Sequence, residues 1–402
     1  MKRFWEIDAA RGLMLVLMTA THVPSRLTDP LGQPFGFVSA AEGFVMLSAF
    51  VSGMVYCRIA QDKGVDAMRT AFWRRALKVY LAQAALLIFV FTVIAILGMK
   101  TDQMIVRDLL KYYFAQPHEG LLYSLLLIYQ PALLDILPLY IFFMLLSPWV
   151  LAYGLRHGWG WLMALSASLW FFAQFGLSDD VYAWVSGHLG IPVPYKETGA
   201  FDMFAWQFLW FIGLWLGAGR AAVDAKPLRF PNWVLVLSAV LVLYGFYWRH
   251  YGLTGQAAFG DNYYLNLLFD KWRLGPFRLI NLAALCVIAI RFGPPLLAQL
   301  PRPRWLEAMG SASLPVFCAH LVAVLLVLAT FGGSQTARPW WGDVLLLIAV
   351  YGSLYAVARA VLWLERPRDS RKPAGSPTGA APTPSDQFRT PRHIGAAARA
   401  GD

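Results

Sequence analysis

Charge is scarce in this 402-residue chain, with Asp, Glu, Lys and Arg together making up 14% of it. A soluble domain carries about a quarter of its residues charged, so a string of soluble domains is excluded. Cysteine is scarcer still: Cys57, Cys286 and Cys318 are the only three, and none stands in C-x-x-C spacing. That excludes a disulfide framework and a thiolate metal site, and since each lies in or beside an apolar run, each reads as a buried hydrophobe. The seven histidines are scattered with no H-E-x-x-H pair, so no metal centre is expected. Acidic residues are outnumbered 23 to 34 by Lys and Arg. The resulting +11 is accompanied by no basic soluble module and no aromatic-interleaved patch, which argues against a nucleic-acid partner. A cleavage site is missing as well. The apolar run behind Lys2 and Arg3 is broken by Glu6, Asp8 and Arg11 and followed by no small-x-small motif, so it reads as a retained helix rather than a signal peptide.

What abounds is apolar sequence: 58% hydrophobic residues and a mean hydropathy of +0.52. Runs of roughly 18 to 24 residues match the ~20 that a helix needs to cross the hydrocarbon core. About ten are present, near 10–27, 37–59, 74–98, 132–154, 159–177, 204–221, 232–251, 276–297, 312–331 and 343–363. The fold class expected is therefore all-α, a polytopic membrane bundle of about ten transmembrane helices. With the N-terminus inside, 24 of the 34 Lys and Arg fall on one side of the membrane, dominated by the stretch from Arg58 to Lys78 and the tail from Arg359 onward, whereas the outer loop 178–203 sets Lys196 against Asp179, Asp180, Glu197 and Asp202. Cationic loops stay on the cytoplasmic side, so both termini are expected there, with the lipid bilayer as an obligatory partner.

The expected organisation is a membrane-embedded domain at 1–365 and a basic tail at 366–402. The tail's Pro, Gly, Ala and Ser cannot bury enough apolar surface to order it. Two long outer loops are expected. In 99–131 the run "GLLYSLLLIYQP" is too short to span and reads as re-entrant or interfacial. The loop at 252–275 mixes Gly, Asn, Tyr and Trp as carbohydrate-facing surfaces do, and as membrane interfaces do.

Ionisable residues inside apolar runs mark function, because lipid penalises them by several kcal/mol. On a helix Arg11 and His22 differ by about 20° after three full turns and stand about 16 Å apart. They share an inward face with Asp8, Leu15, Met18 and Thr19, and Pro24 ends the helix. Glu42 opens the second run, Asp135 the fourth and Gln207 the sixth, Arg278 and Asn281 open the eighth, and His320 lies within the ninth. Such a set, gathered toward one end, predicts a polar cavity opening outward. Histidine suits proton transfer near neutral pH, a carboxylate such as Glu42 could orient it, and Arg278 or Asn281 could stabilise an oxyanion, which together suit acyl transfer.

Five ordered stretches, "RFWEIDAARGLMLVLMTATHVP", "AEGFVMLSAFVSGMVY", "FDMFAWQFLWFIGLWLG", "LGPFRLINLAAL" and "GSASLPVFCAH", resemble the OpgC family of osmoregulated periplasmic glucan succinyltransferases. The arginine-x10-histidine spacing is also similar to that of the acyltransferase family three membrane enzymes. The resemblance implies an inner-membrane succinyltransferase with no bound cofactor, succinyl-CoA (an acyl-CoA) as cytoplasmic donor, a periplasmic beta-glucan as acceptor and glucan-synthesis proteins as company. It implies that His22 is essential for transfer and that Arg11 belongs to the same motif. "FWRRALKVY" matches an Arg-rich stretch of those relatives, so Arg74, Arg75 and Lys78 would meet coenzyme A phosphates. Asp135 and Gln207 would then lie on the substrate path. Direct transfer and a covalent acyl-histidine are both open. Two rival readings also stand: an O-acetyltransferase of another cell-surface polysaccharide, and a transporter of glucan or lipid-linked sugar. The second lacks the internal repeats and paired broken helices of many transporters.

Overall fold

The predicted apolar runs become helices because a backbone in lipid must satisfy its own hydrogen bonds. The computed structural model describes residues 4–221, 228–251, 259–334 and 338–365, and among them there is no strand. The long helices are α1 (Trp5–His22), α2 (Ala40–Lys63), α3 (Val65–Lys100, with one π turn at Val90–Ile94), α4 (Ile136–His157), α5 (Gly160–Ala173), α6 (Leu177–Leu189), α7 (Met203–Ala221), α8 (Asn232–Tyr251), α9 (Pro276–Gln299), α10 (Arg304–Ser311), α11 (Ser313–Phe331) and α12 (Trp340–Leu364). Seven of them, α2, α3, α4, α8, α9, α11 and α12, are long and apolar enough to cross a membrane, and the α5–α6 pair makes an eighth if counted as one span. The chain is a multi-pass membrane protein.

Helices α1 and α7 also cover predicted runs, but α1 holds Glu6, Asp8 and Arg11, and α7 includes Gln207 and Arg220. The fifth run needs correction. Gly176 takes φ +94°, a conformation glycine adopts without penalty, and the chain bends by 85° into α6. Residues expected as an outer loop from 178 are therefore helical to Leu189. The other expected loop, 99–131, holds three short helices at Met104–Leu109, Lys111–Ala115 and Pro117–Leu125. The last of these covers the first half of the run judged too short to span. The tail expected at 366–402 lies outside the described residues, as do residues 252–258 of the second loop.

Close helix contacts position the site. A side-chain carbon at Gly12 of α1 would overlap the Leu306 carbonyl of α10, and one at Gly310 would overlap the Asp8 carbonyl. Backbones that approach this closely need glycine. The chain then breaks for one residue at Ala312, which lets α11 continue beside α1. On the other flank α2 meets α7. Gly213 faces Ala49, whose side chain is fully buried, and Gly53 faces the Leu214 carbonyl. The most enclosed of the spanning helices is α4, whereas α8, α9 and α12 turn most of their apolar surface outward. In lipid that surface carries no penalty.

Candidate active site

The α1 face predicted from helical spacing is buried at Asp8, Leu15, Met18 and Thr19. Arg11 on this helix donates from Nη2 to Ser313 Oγ at 2.7 Å and lies 5.9 Å from the Phe44 ring. At the far end of the helix, His22 Nδ1 lies 3.0 Å from His320 Nε2, with the two rings nearly parallel. His320 is fully buried, and its Nδ1 has no hydrogen-bond partner. His22 is partly exposed.

The chain beyond His22 is fixed rather than loose. Asp343 at the start of α12 accepts from the Arg26 backbone N–H at 3.2 Å and from Arg338 Nε at 3.1 Å. The same Arg338 donates to the Pro24 carbonyl. Tyr351 one helix face further donates to the Val16 carbonyl at 3.1 Å. These bonds hold the C-terminal half of α1 against α12.

Glu42 and Arg278 form a second buried pair. Arg278 donates from Nε to Glu42 Oε1 at 2.9 Å and also from Nη2, and neither side chain meets solvent. The other carboxylate oxygen accepts the Ser39 backbone N–H at 3.0 Å and the Ser39 hydroxyl. Ser39 and Glu42 thus form a capping box at the start of α2, which satisfies helix-end donors reciprocally. The pairing expected between Glu42 and His22 is replaced: Glu42 belongs to Arg278 and Ser39, and His22 belongs to His320. Arg278 Nη1 is buried without a partner, and so is Asn281 Oδ1 one turn on. Asn281 Nδ2 reaches the Leu241 carbonyl of α8 at 3.4 Å, next to Gly245, where any side chain would crowd it.

The remaining candidates divide. Asp135 precedes α4, buried, and its Oδ2 accepts the Ala200 N–H at 3.0 Å. Burial raises the pKa of its carboxyl. Gln207 spends its amide on helix packing: it accepts from Ser166 Oγ at 2.6 Å and donates to the Ser166 and Phe204 carbonyls at 2.8 and 2.9 Å. Arg74, Arg75 and Lys78 lie away from the histidines. With Lys63, Thr70, Tyr56 and Ile59 they line a groove of ≈ 570 Å³ between the end of α2 and the start of α3. Glu42 and Lys63 occupy the first and last turns of the same helix. They are 21 residues apart, which places the far end of the groove about 32 Å from the buried ion pair, close to the thickness of a bilayer core.

One residue joins the dyad to the ion pair, and sequence reasoning missed it. Lys271 interacts electrostatically with Glu42, Arg278, Asp135 and His22. It sits in the turn before α9, with its ammonium 4.7 Å from the Trp272 ring. Burial pulls the Lys271 ammonium below the ordinary lysine pKa. Only its place in an aromatic loop beside Arg278 could have pointed to it.

The geometry offers a half-open imidazole backed by a second, sealed imidazole, a buried guanidinium with a spare donor, and a lysine between them. Such a set can move a proton and stabilise an oxyanion. A family model described as OpgC protein matches residues 3–366 of the chain. Searches among curated proteins and among solved structures give no match.

Proposed function

Because the chain belongs to the OpgC protein family, we propose that it transfers a succinyl group from cytoplasmic succinyl-CoA to hydroxyls of a periplasmic glucan, in the inner membrane of a bacterium. Membership points to a glucan-related acyltransferase. The observation that carries the finer reading is the His22–His320 contact, with the cationic groove at the opposite end of α2 from Glu42.

The Phe317 carbonyl is an electrostatic partner of the His320 ring, whose Nδ1 has no other. A proton on His320 Nδ1 leaves its Nε2 to accept from His22 Nδ1–H. His22 then presents an unprotonated Nε2 on its exposed side, the tautomer a general base requires. His22 Nε2 takes the proton of a glucose hydroxyl as the oxygen attacks the thioester carbonyl carbon. Arg278 Nη1 donates to the oxyanion, an interaction strongest in the transition state. When the carbon–sulfur bond breaks, the imidazolium returns the proton to the thiolate, giving a succinyl ester and free coenzyme A.

Arg74, Arg75, Lys78 and Lys63 suit the phosphates of the donor, since arginine pairs phosphate oxygens bidentately. Tyr56, which lines the groove, stands fourteen residues from Glu42 on α2, about 21 Å along the helix axis, so the donor's long arm would reach along α2. Arg11, bonded to Ser313, would line that path. The test is mass spectrometry of the periplasmic glucan fraction in a deletion strain complemented with wild type, His22→Ala or His320→Ala. The expected result is unsubstituted glucan of normal amount in both variants. Succinylated glucan in the His22→Ala strain, at normal protein level, would sink the reading.

A further inference from the structure

The site's cations are unequally committed. Arg278 is neutralised by Glu42 at hydrogen-bond distance, and that carboxylate is filled by Ser39 on its other side. Lys271 forms no ion pair among the described residues; its near contact is the face of Trp272. The carboxylate of Asp135 is within electrostatic range but is bonded to the Ala200 N–H instead. A partly buried ammonium without a bonded carboxylate is unusual, because burial of an unpaired charge is costly.

The turn that carries Lys271 is held on several sides. The Trp272 carbonyl accepts from Trp206 Nε1 at 2.9 Å and from the Asp202 N–H at 3.0 Å. The Arg273 carbonyl accepts from Gln174 Nε2 at 2.7 Å, and the Leu274 carbonyl from Trp170 Nε1 at 2.9 Å. Asp270 closes the turn by accepting the Arg273 N–H at 2.7 Å and, through its carbonyl, the Gly275 N–H at 2.8 Å. Three consecutive carbonyls bonded to the side chains of Trp206, Gln174 and Trp170 make this a fixed platform. A group presented on a fixed backbone loses little freedom on binding a ligand.

We propose that Lys271 is the specificity-determining residue for the acyl group, binding the free carboxylate of a dicarboxylic acyl chain while its thioester carbonyl lies by His22 and Arg278. The inference rests on the succinyl-transfer reading and sharpens it. Arg278 spends Nε and Nη2 on Glu42, and its remaining donor, Nη1, serves the oxyanion in the proposed mechanism, whereas Lys271 has a charge to spare in range of both the dyad and Arg278. A short chain with carboxyl groups at both ends suits a site with its oxyanion donor and its carboxylate anchor on consecutive segments, the 270–275 turn and the first turn of α9.

The experiment is a donor competition with the full-length protein in lipid nanodiscs and glucan as acceptor, comparing succinyl-CoA with acetyl-CoA. In Lys271→Met the ratio of kcat/KM for succinyl over acetyl should fall about ten-fold or more, the loss of one charge-assisted bond. Lys271→Arg should retain most of the ratio. Lys271→Glu should favour β-alanyl-CoA, which carries an ammonium where succinyl-CoA carries its carboxylate. Because each ratio is taken within one preparation, a partly folded variant lowers both donors together, and the charge-swapped donor supplies a gain that misfolding cannot mimic. If wild type uses succinyl-CoA but Lys271→Met keeps its ratio within two-fold and Lys271→Glu gains nothing with β-alanyl-CoA, Lys271 does not bind the carboxylate. If wild type transfers acetyl and no succinyl group, the donor reading and this inference fall together.

Discussion

His22 Nδ1 and His320 Nε2 stand 3.0 Å apart across 298 positions of sequence, so a partly buried imidazole has a fully buried one as its hydrogen-bond partner. Replacing His320 with Ala leaves His22 Nδ1 without an acceptor and frees its proton to move to Nε2, where it blocks the base. The expected loss in kcat is about 10²–10⁴-fold, the range general-base catalysis supplies, with little change in KM for the acyl donor. His320→Gln, whose carbonyl oxygen can still accept, should recover part of it. Steady-state kinetics on the purified variants separates this from a structural role, which would lower the amount of folded protein and leave per-molecule kcat intact.

The Glu42–Arg278 pair should behave as two unlike experiments. Glu42→Ala leaves a guanidinium buried and unpaired and should destabilise the protein by about 3–5 kcal/mol. Replacing both together, Glu42→Met with Arg278→Leu, removes the charge as well as its partner and should restore much of that loss. Thermal unfolding in detergent reads both. The double variant should stay inactive, because Arg278 Nη1 is the oxyanion donor in the proposed mechanism. A double variant no more stable than Glu42→Ala would mean that the pair does not act as a unit.

The helices were legible in the sequence because a lipid-embedded helix must be continuously apolar, so its boundaries show as composition. The polar candidates were legible for the same reason. The partners of those residues were not, since helix pairing is set by close backbone approaches such as Gly12 with Leu306 and Gly213 with Ala49, which leave no local period. Glu42 shows the difference. Its link to His22 was a guess about space, whereas "SAAE" at 39–42 is a capping-box pattern and announces one real partner, Ser39. The bend at Gly176 was hidden because the apolar run passes through it. Lys271 was hidden because a lone lysine in a loop carries no pattern, and only the fold brings it to Arg278 and His22.

Gly12→Ala and Gly310→Ala should each force α1 away from α10, since the added carbon meets a backbone carbonyl that cannot rotate aside. Overpacking of this kind costs about 1–3 kcal/mol. It should also pull Arg11 from Ser313 and widen the histidine pair, so activity should fall with stability. Gly352→Ala on α12, with open space around the new carbon, is the matched control and should unfold at the wild-type temperature or slightly above it, as alanine favours the helix.

The groove makes a prediction about salt. Arg74→Ala, Arg75→Ala and Lys78→Ala should each raise KM for the acyl-CoA about three- to ten-fold with kcat unchanged, because phosphate contacts at this distance from the chemistry are uniform binding. Raising ionic strength should raise the wild-type KM and narrow the gap to each variant, since exposed charges are screened. Adenosine 3′,5′-bisphosphate should compete with the donor in the wild type and compete less well in the variants. A kcat effect without a KM effect would place these residues elsewhere in the reaction.

Lys271 sets the last expectation, on the alkaline side. An ammonium binds a carboxylate only while protonated, and burial has moved its pKa down from the ordinary lysine value. The KM for succinyl-CoA should therefore rise as pH increases through that lowered value, at a pH where a free lysine would still be charged. Below it the lysine is charged and KM should be flat. The titration of His22 acts on every donor alike and cancels in the ratio of succinyl to acetyl transfer, so the ratio should fall at alkaline pH from Lys271 alone. Lys271→Arg keeps its charge throughout and should flatten that fall. A ratio that stays level in the wild type while both rates decline would assign the alkaline limb to another group.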